Sequence, residues 1–307
     1  MTEPVIDERR RAGGVTTRAH LVDAGYAAGW RFVRALPPGV AHGLFRLGAD
    51  RAARAGSPQL RANLARLAPG ADLDALVREG LRSYARYWCE VFRLPSMDLA
   101  DVHRRMDPHV RGAEPFLDAQ RQGRGVIFAL THSGNWDVAG VWLVETLRAL
   151  GCDPSFTTVA ARLEPETLYR RFVAYRESLG FEVVAAEDGS RAYRALMRRL
   201  RAGGVVCLVS DLDLSRSGVD VELCGEPARI PGGAARLAAA TGALLLPAVP
   251  SFTPDAWALD IAAPVQVPDR AAVAKATQDV ADALGSMLAR VPADWHMLQP
   301  IWTADRG

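Results

Sequence analysis

The chain of 307 residues has no run of about 18 uncharged apolar residues, the length that a membrane-crossing helix needs. A spanning helix is therefore not expected; a helix lying on a membrane surface remains open. The N-terminal MTEPVIDERRRAGG leads into no continuous apolar segment, so no secretory signal is expected. Cysteine is scarce. Cys89, Cys152, Cys207 and Cys224 form no CxxC pair and no zinc-finger spacing, and all adjoin apolar or helical text. Buried thiols in a reducing compartment are expected, not disulfides. Lys275 is the only lysine, and a formal charge of +2 gives no polycation of the kind that nucleic acid selects. The bias to arginine, alanine and glycine reads as genome composition. There is no phosphate-binding P-loop, no G-x-G-x-x-G, no H-E-x-x-H and no G-x-S-x-G. Internal repeats and low-complexity tracts are also absent.

What is present is an alternation of strands and helices around Gly125 to Gly140, GVIFALTHSGNWDVAG. Val126 to Leu130 is a short apolar run bounded by glycine and then by polar residues, and it predicts a buried strand. Before it, residues 1–17 are expected to be flexible and 18–95 to form an N-terminal helical region. Within that region Arg18, Arg31, Arg34, Arg46, Arg51 and Arg54 interleave with Trp30, Phe32, Leu44 and Leu47, and Pro37 and Pro38 divide the stretch into two helical pieces. Basic amphipathic helices of this kind suit an anionic lipid surface; two ordinary helices packed on a core are the alternative. Apolar positions from Leu73 to Phe92 recur at helical spacing and predict a scaffold helix stopped by Pro95.

After the central strand come predicted strands at 155–160 and 181–186, a strongly apolar strand within GGVVCLVSDLD before Asp211, and a short strand or hairpin arm at 219–224. A helix from Pro231 closed by Gly242, the buried strand ALLLPAVP, an outer strand and a helix within 269–290 follow. A helix opened by Pro165 places Leu168, Phe172, Tyr175 and Leu179 on one face. The expected fold class is α/β, a central, mostly parallel sheet flanked by helices, in a single domain over 1–307 with its α/β core at 110–302.

In an open α/β sheet, ligands bind at the carboxyl ends of the strands. There the sequence has His132, with Asp137 four intervening residues later. An imidazole titrates near neutrality and accepts a proton from a hydroxyl. It does so better when a carboxylate fixes its other nitrogen. The spacing lets Asp137 reach His132, and backbone N–H groups of Ser133, Gly134 and Asn135 are candidate oxyanion donors. The residues alone leave loop capping and metal ligation open, although no three-ligand metal cluster is recognisable. His20, His42, His103, His109 and His296 fit no ligand spacing and are expected to face solvent or to cap. A second candidate region, DLDLSRSGVDVELCGEPARIPGG, joins Asp211 and Asp213 at a strand end to Arg229 and a Pro-Gly-Gly entering a helix. That is a natural phosphate site, or plain turn chemistry.

These segments carry a resemblance. THSGNWD resembles the His-x4-Asp motif of the glycerophospholipid and lipid A acyltransferase superfamily. TTVAARLEPETLYRRFVAYRESLGFEV and CGEPARIPGGAARLAAATGALLLPAVP are similar to longer blocks of its actinobacterial phosphatidylinositol mannoside acyltransferases, and the likeness runs from about Leu21 to Trp302. Two positions depart from that subgroup's pattern, Ala161 where it has glutamate and Leu212 where it has arginine.

The resemblance implies a lysophospholipid/glycerol-3-phosphate acyltransferase-like fold with a membrane-associating N-terminal segment. It implies no metal or bound cofactor, acyl-CoA as co-substrate, and a phosphatidylinositol mannoside glycolipid as acceptor. Palmitoyl transfer to the 6-hydroxyl of the 2-linked mannose, at the cytoplasmic face of the plasma membrane, is the expected reaction. By the same resemblance His132 is the general base, Asp137 its charge partner, and Asp211 a later acidic residue near it. Arg176 is an active-site arginine, and Arg229 serves phosphate or acceptor recognition. Trp136, with Ser133, Gly134 and Asn135, is expected to touch substrate, and Val141 and Trp142 to line an acyl-chain pocket. A lipid A-like or other glycolipid acceptor, and a non-enzymatic lipid-binding protein, are the competing readings.

Overall fold

A computed structural model describes residue 25 and residues 29–162, 166–213 and 218–305. The expectations for residues 1–17, for the first part of the N-terminal helical region, and for Pro165 and the side chain of Leu168 lie outside the described residues. Helix α1 covers 29–35 among these, and α2 (Pro38–Ala55) follows directly, so Pro37 and Pro38 divide the pair as expected.

Then come α3 (Pro58–Leu67), α4 (Leu73–Arg93), α5 (Leu99–Met106), β1 (Val110–Arg111), α6 (Glu114–Arg121), β2 (Val126–Leu130) and α7 (Trp136–Ala149). The series continues with β3 (Phe156–Ala160), α8 (Glu166–Glu177), β4 (Phe181–Ala185), α9 (Ser190–Arg201) and β5 (Val205–Val209). It ends with the hairpin β6 (Val219–Leu223) and β7 (Glu226–Ile230), then α10 (Gly233–Thr241), β8 (Leu244–Phe252), β9 (Trp257–Ile261) and α11 (Val273–Leu288).

The seven-stranded sheet has the order β1-β9-β8-β2-β5-β3-β4. Strands β8, β2, β5, β3 and β4 are mutually parallel, while β9 runs antiparallel to β8 and β1 parallel to β9. The mixed α/β class and mostly parallel sheet are as expected. The two-residue β1 is an addition, lying where the sequence reads as a polar connector.

Side chains on successive strand residues point to opposite faces, and each central strand here is apolar on both. Val126 and Phe128 of β2, Val205 and Cys207 of β5, and Leu244 and Leu246 of β8 enter one core. Ile127, Ala129, Val206 and Leu245 enter the other. Helices α4 to α8 cover the first face, with Tyr87, Met106, Phe116, Trp142 and Tyr175 buried in it. Helices α9 to α11 and the C-terminal tail cover the second, with Trp295 and Trp302 fully enclosed. The scaffold helix α4 runs 21 residues, started by Asp72, whose side chain accepts from the N–H groups of Asp74 and Ala75. Its buried side carries Tyr87 and Glu90 toward the loop after β2. Cys89 and Cys207 are buried as expected; Cys224, in the β6–β7 turn, is exposed.

Candidate active site

The register of β2 and β5 builds the site. Leu130 lies opposite Val209, and Ser210 N–H donates to the Leu130 carbonyl at 2.7 Å. Two residues beyond this pair, His132 and Asp211 leave adjacent parallel strands side by side. His132 Nδ1 and Asp211 Oδ1 are 2.7 Å apart, while Asp211 Oδ2 accepts from His132 N–H at 2.8 Å and from Trp295 Nε1–H at 2.9 Å. The carboxylate side chain is about 4% exposed and the imidazole about 34%.

The Asp211 carboxylate takes Nδ1–H, so the neutral imidazole presents its lone pair at Nε2. Burial works against the imidazolium, but the charge of Asp211 and its hydrogen bond outweigh burial, and the His132 pKa is raised. Burial alone raises a carboxyl pKa; at Asp211 the His132 charge and the three hydrogen bonds win, and it is lowered.

Asp137 does not pair with His132. It caps nothing on the imidazole; instead its Oδ1 accepts from Arg176 Nε–H at 3.0 Å and its Oδ2 from the Tyr87 hydroxyl at 3.2 Å. The reason is helical: Asp137 is in the first turn of α7 and faces inward toward α4 and α8, whereas His132 turns to the β5 side. Burial disfavours the Arg176 charge, but Asp137 more than compensates and raises its pKa. Arg176 thereby reaches the site as a held cation.

The turn itself is tightly determined. Gly134 has φ +51°, and a Cβ there would stand 2.6 Å from Ser251 N and 2.7 Å from the Pro250 carbonyl carbon. Its N–H donates to the Asp294 carbonyl at 2.9 Å, so the oxyanion role expected of it is already occupied. The Ser133 hydroxyl donates to the Pro250 carbonyl at 2.8 Å and contacts the Thr131 hydroxyl. Asn135 Oδ1 accepts from Val138 N–H to start α7, and its Nδ2–H donates to Glu90 at 2.8 Å. The side chains of Ser133 and Asn135 thus fix the loop rather than reach for substrate. Trp136 presents its ring edge-on to His132 at 5.9 Å and leans on Tyr87 at 4.0 Å.

His132, Trp136 and Arg176 open into a cavity of about 660 Å³ with Trp88, Phe172 and Leu237 in its wall. Ala161 and Leu212, the two departures, both line it, as does Gly233 at the start of α10. Arg229 does not; its Nε–H donates to the Gly218 carbonyl at 3.2 Å and faces Asp213, which follows β5, and Asp220 on the hairpin. Trp142 borders a recess of about 70 Å³ that shares Trp136 and Arg176 with the main cavity, and its indole N–H is donated to Asp107. Phe128, Leu143, Phe156 and Phe181 complete the apolar wall of that recess. Val141 is in the core and does not border it. A larger cavity of about 810 Å³ lies between α2, α4 and the β8–β9 turn, where Arg82 is paired with Asp50 and Arg86 with Glu90, and His132 is not in its wall.

Two residues of the site escaped sequence reasoning. His296 is buried in the cavity wall, not solvent-facing, with its N–H donated to the His132 carbonyl at 2.8 Å and Nε2 at 2.9 Å from Ser83 Oγ. Burial and the neighbouring His132 push its pKa down to about 3. Trp295 supplies the third hydrogen bond to Asp211. The signal was a tail dense in aromatics, Trp295, His296 and Trp302, following the last helix. Among the described residues, no three His, Cys, Asp or Glu side chains converge in a way that would hold a metal ion.

The family model for bacterial lipid A biosynthesis acyltransferases matches residues 15–304. The chain is 48% identical over 299 residues to the phosphatidylinositol mannoside acyltransferase of Mycolicibacterium smegmatis, covering 96% of this chain and 95% of that protein. It is 47% identical over 288 residues to the phosphatidylinositol mannoside acyltransferase of Mycobacterium tuberculosis, covering 92% and 89%.

Proposed function

The chain belongs to the bacterial lipid A biosynthesis acyltransferase family, and from that premise we propose that it is an acyl-CoA-dependent O-acyltransferase whose acceptor is a phosphatidylinositol mannoside. The acyl group is palmitoyl, and it goes to the 6-hydroxyl of the 2-linked mannose of the mono- or dimannoside, with residues 1–307 acting as one unit. The observation that carries the reading is the His132–Asp211 pair at the wall of a mainly apolar cavity, in a chain 48% identical along nearly its whole length to a phosphatidylinositol mannoside acyltransferase.

The acceptor hydroxyl gives its proton to His132 Nε2 as its oxygen forms a bond to the thioester carbonyl carbon. Asp211 stabilises the imidazolium. The tetrahedral intermediate then expels the CoA thiolate, which takes the proton back from Nε2, leaving an ester, free CoA and a neutral histidine. General base catalysis of this kind contributes about 10²–10⁴-fold. Arg176, oriented by Asp137, offers its cavity-facing guanidinium to substrate oxygens, and Trp136, Trp88 and Phe172 accommodate acyl chain.

A lipid acceptor must leave its bilayer to reach His132. On α1 and α2, Phe32, Val40, Leu44 and Leu47 are exposed among Arg31, Arg46, Arg51 and Arg54. An apolar groove of about 590 Å³ beneath them shares Tyr84 and Trp88 with the His132 cavity. No helix among the described residues is long and apolar enough to cross a membrane. The reading is that this face lies on anionic lipid at the cytoplasmic side of the plasma membrane and hands the glycolipid to the cavity. The test is a panel of glycolipid acceptors incubated with palmitoyl-CoA and read by mass spectrometry, with folded His132→Ala as control. Acylated phosphatidylinositol mannoside from the wild type alone is expected; transfer only to a different acceptor, or undiminished transfer by the variant, contradicts the proposal.

A further inference from the structure

The C-terminal segment is joined to the loop after β2 at two points and to Asp211 at a third. The Asp294 carbonyl accepts from Gly134 N–H at 2.9 Å, His296 N–H donates to the His132 carbonyl at 2.8 Å, and between them Trp295 Nε1–H donates to Asp211 Oδ2 at 2.9 Å. From behind, the buried Asn63 of α3 donates to the carbonyls of Met297 and Gln299, which holds the segment in place. Trp295 is fully enclosed, and Trp302 meets it edge to face at 6.0 Å.

An enclosed carboxylate keeps its charge only while its oxygens are hydrogen-bonded, and its direction only while those bonds are rigid. On Asp211, Oδ1 faces His132 Nδ1, and Oδ2 shares its lone pairs between His132 N–H and the indole. The loop supplies one of the Oδ2 donors. The other comes from more than eighty residues away in sequence, on a rigid ring that cannot follow the carboxylate if it turns.

We infer that Trp295 is a positioning residue of the transfer reaction: its indole N–H holds the Asp211 carboxylate in the plane in which Oδ1 meets His132, and the C-terminal segment is thereby part of the active site. The inference rests on the reading of His132 as general base. A donor to a carboxylate lowers the negative potential felt by its partner. Without the indole N–H, Asp211 holds the imidazolium more strongly but less well oriented.

The experiment compares wild type, Trp295→Phe, and a variant carrying the sulfur isostere benzothienylalanine at 295, which keeps the bicyclic shape and lacks the donor. Transfer from palmitoyl-CoA is followed against pH. Both variants are expected to lose about tenfold in kcat with little change in KM, about what one lost hydrogen bond to a charged group is worth. The acidic limb of kcat/KM is expected to move to higher pH. If Trp295→Phe folds poorly, the isostere decides. Wild-type kcat and an unmoved limb in the isostere overturn the inference, as does a loss of activity with the limb in place, which is the signature of packing alone. His132→Ala separates the two levels: an active His132→Ala variant sinks the general-base reading, whereas an inert one beside an unaffected isostere sinks only the role of Trp295.

Discussion

Two histidines line one cavity and are driven in opposite directions. His132, on the loop after β2, has a carboxylate on Nδ1, and its affinity for a proton is raised. His296, on the C-terminal segment, has the neutral Ser83 hydroxyl on Nε2, lies deeper, and stays neutral down to about pH 3. The same side chain is a proton acceptor in one place and a fixed neutral dipole in the other. A neighbouring charge can outweigh desolvation; a hydroxyl cannot. Chemistry at this site is therefore assigned by what stands on the second ring nitrogen, not by which residue type reaches the cavity.

The comparison can be broken most forcefully at His132. His132→Ala is expected to lower kcat by about 10³-fold with the fold retained by circular dichroism. Asp211→Asn keeps the shape and removes the charge, and is expected to cost about 10²-fold. A buried pair is disrupted by Asp137→Asn, which leaves Arg176 without its anion. We expect a loss of about 3 kcal/mol in denaturant-melt stability and a smaller loss of activity, around tenfold, with little movement of the pH profile.

The smallest effect sharpens the other side. Because the folded pKa of His296 lies below its unfolded value, the unfolded chain binds the extra proton between about pH 3 and pH 6.5, and stability falls as pH drops through that window. His132 has the reverse sign: its contribution is full below the unfolded value and is lost as pH rises through the raised folded value. His296→Gln should make the decline of Tm between pH 6.5 and 4.5 shallower by about 2–5 °C. An unchanged slope would mean that His296 is not buried neutral.

Much of the fold is readable from the sequence because strands buried on both faces are continuous apolar runs, and VIFAL, VVCLV and LLLPAVP stand out against polar surroundings. The strand-end location of His132 follows from the same pattern. Its partner does not. Asp137, close in sequence, looks like the natural carboxylate, but the turn through Gly134 and the start of α7 rotate it to the Arg176 side. Asp211 is 79 residues away and becomes adjacent only through the pairing of Leu130 with Val209. Register across a parallel sheet is a tertiary property, invisible to local spacing. Trp295 and His296 were hidden for a related reason: a tail with no periodicity of its own acquires its place from the loop it pairs with. Arg229 shows the converse, a residue whose surroundings suggest a phosphate site but whose hairpin turns it to Gly218 and Asp213.

The most direct test of the His132–Asp211 assignment is the pH dependence of kcat/KM for acyl transfer, measured on wild type, Asp211→Asn and Asp137→Asn together. The wild-type acidic limb is expected above the ordinary imidazole value of about 6.5, with Asp211→Asn moving it to lower pH on a plateau about 10²-fold smaller and Asp137→Asn leaving it where it was. A limb that moves with Asp137→Asn and stays with Asp211→Asn would contradict the account.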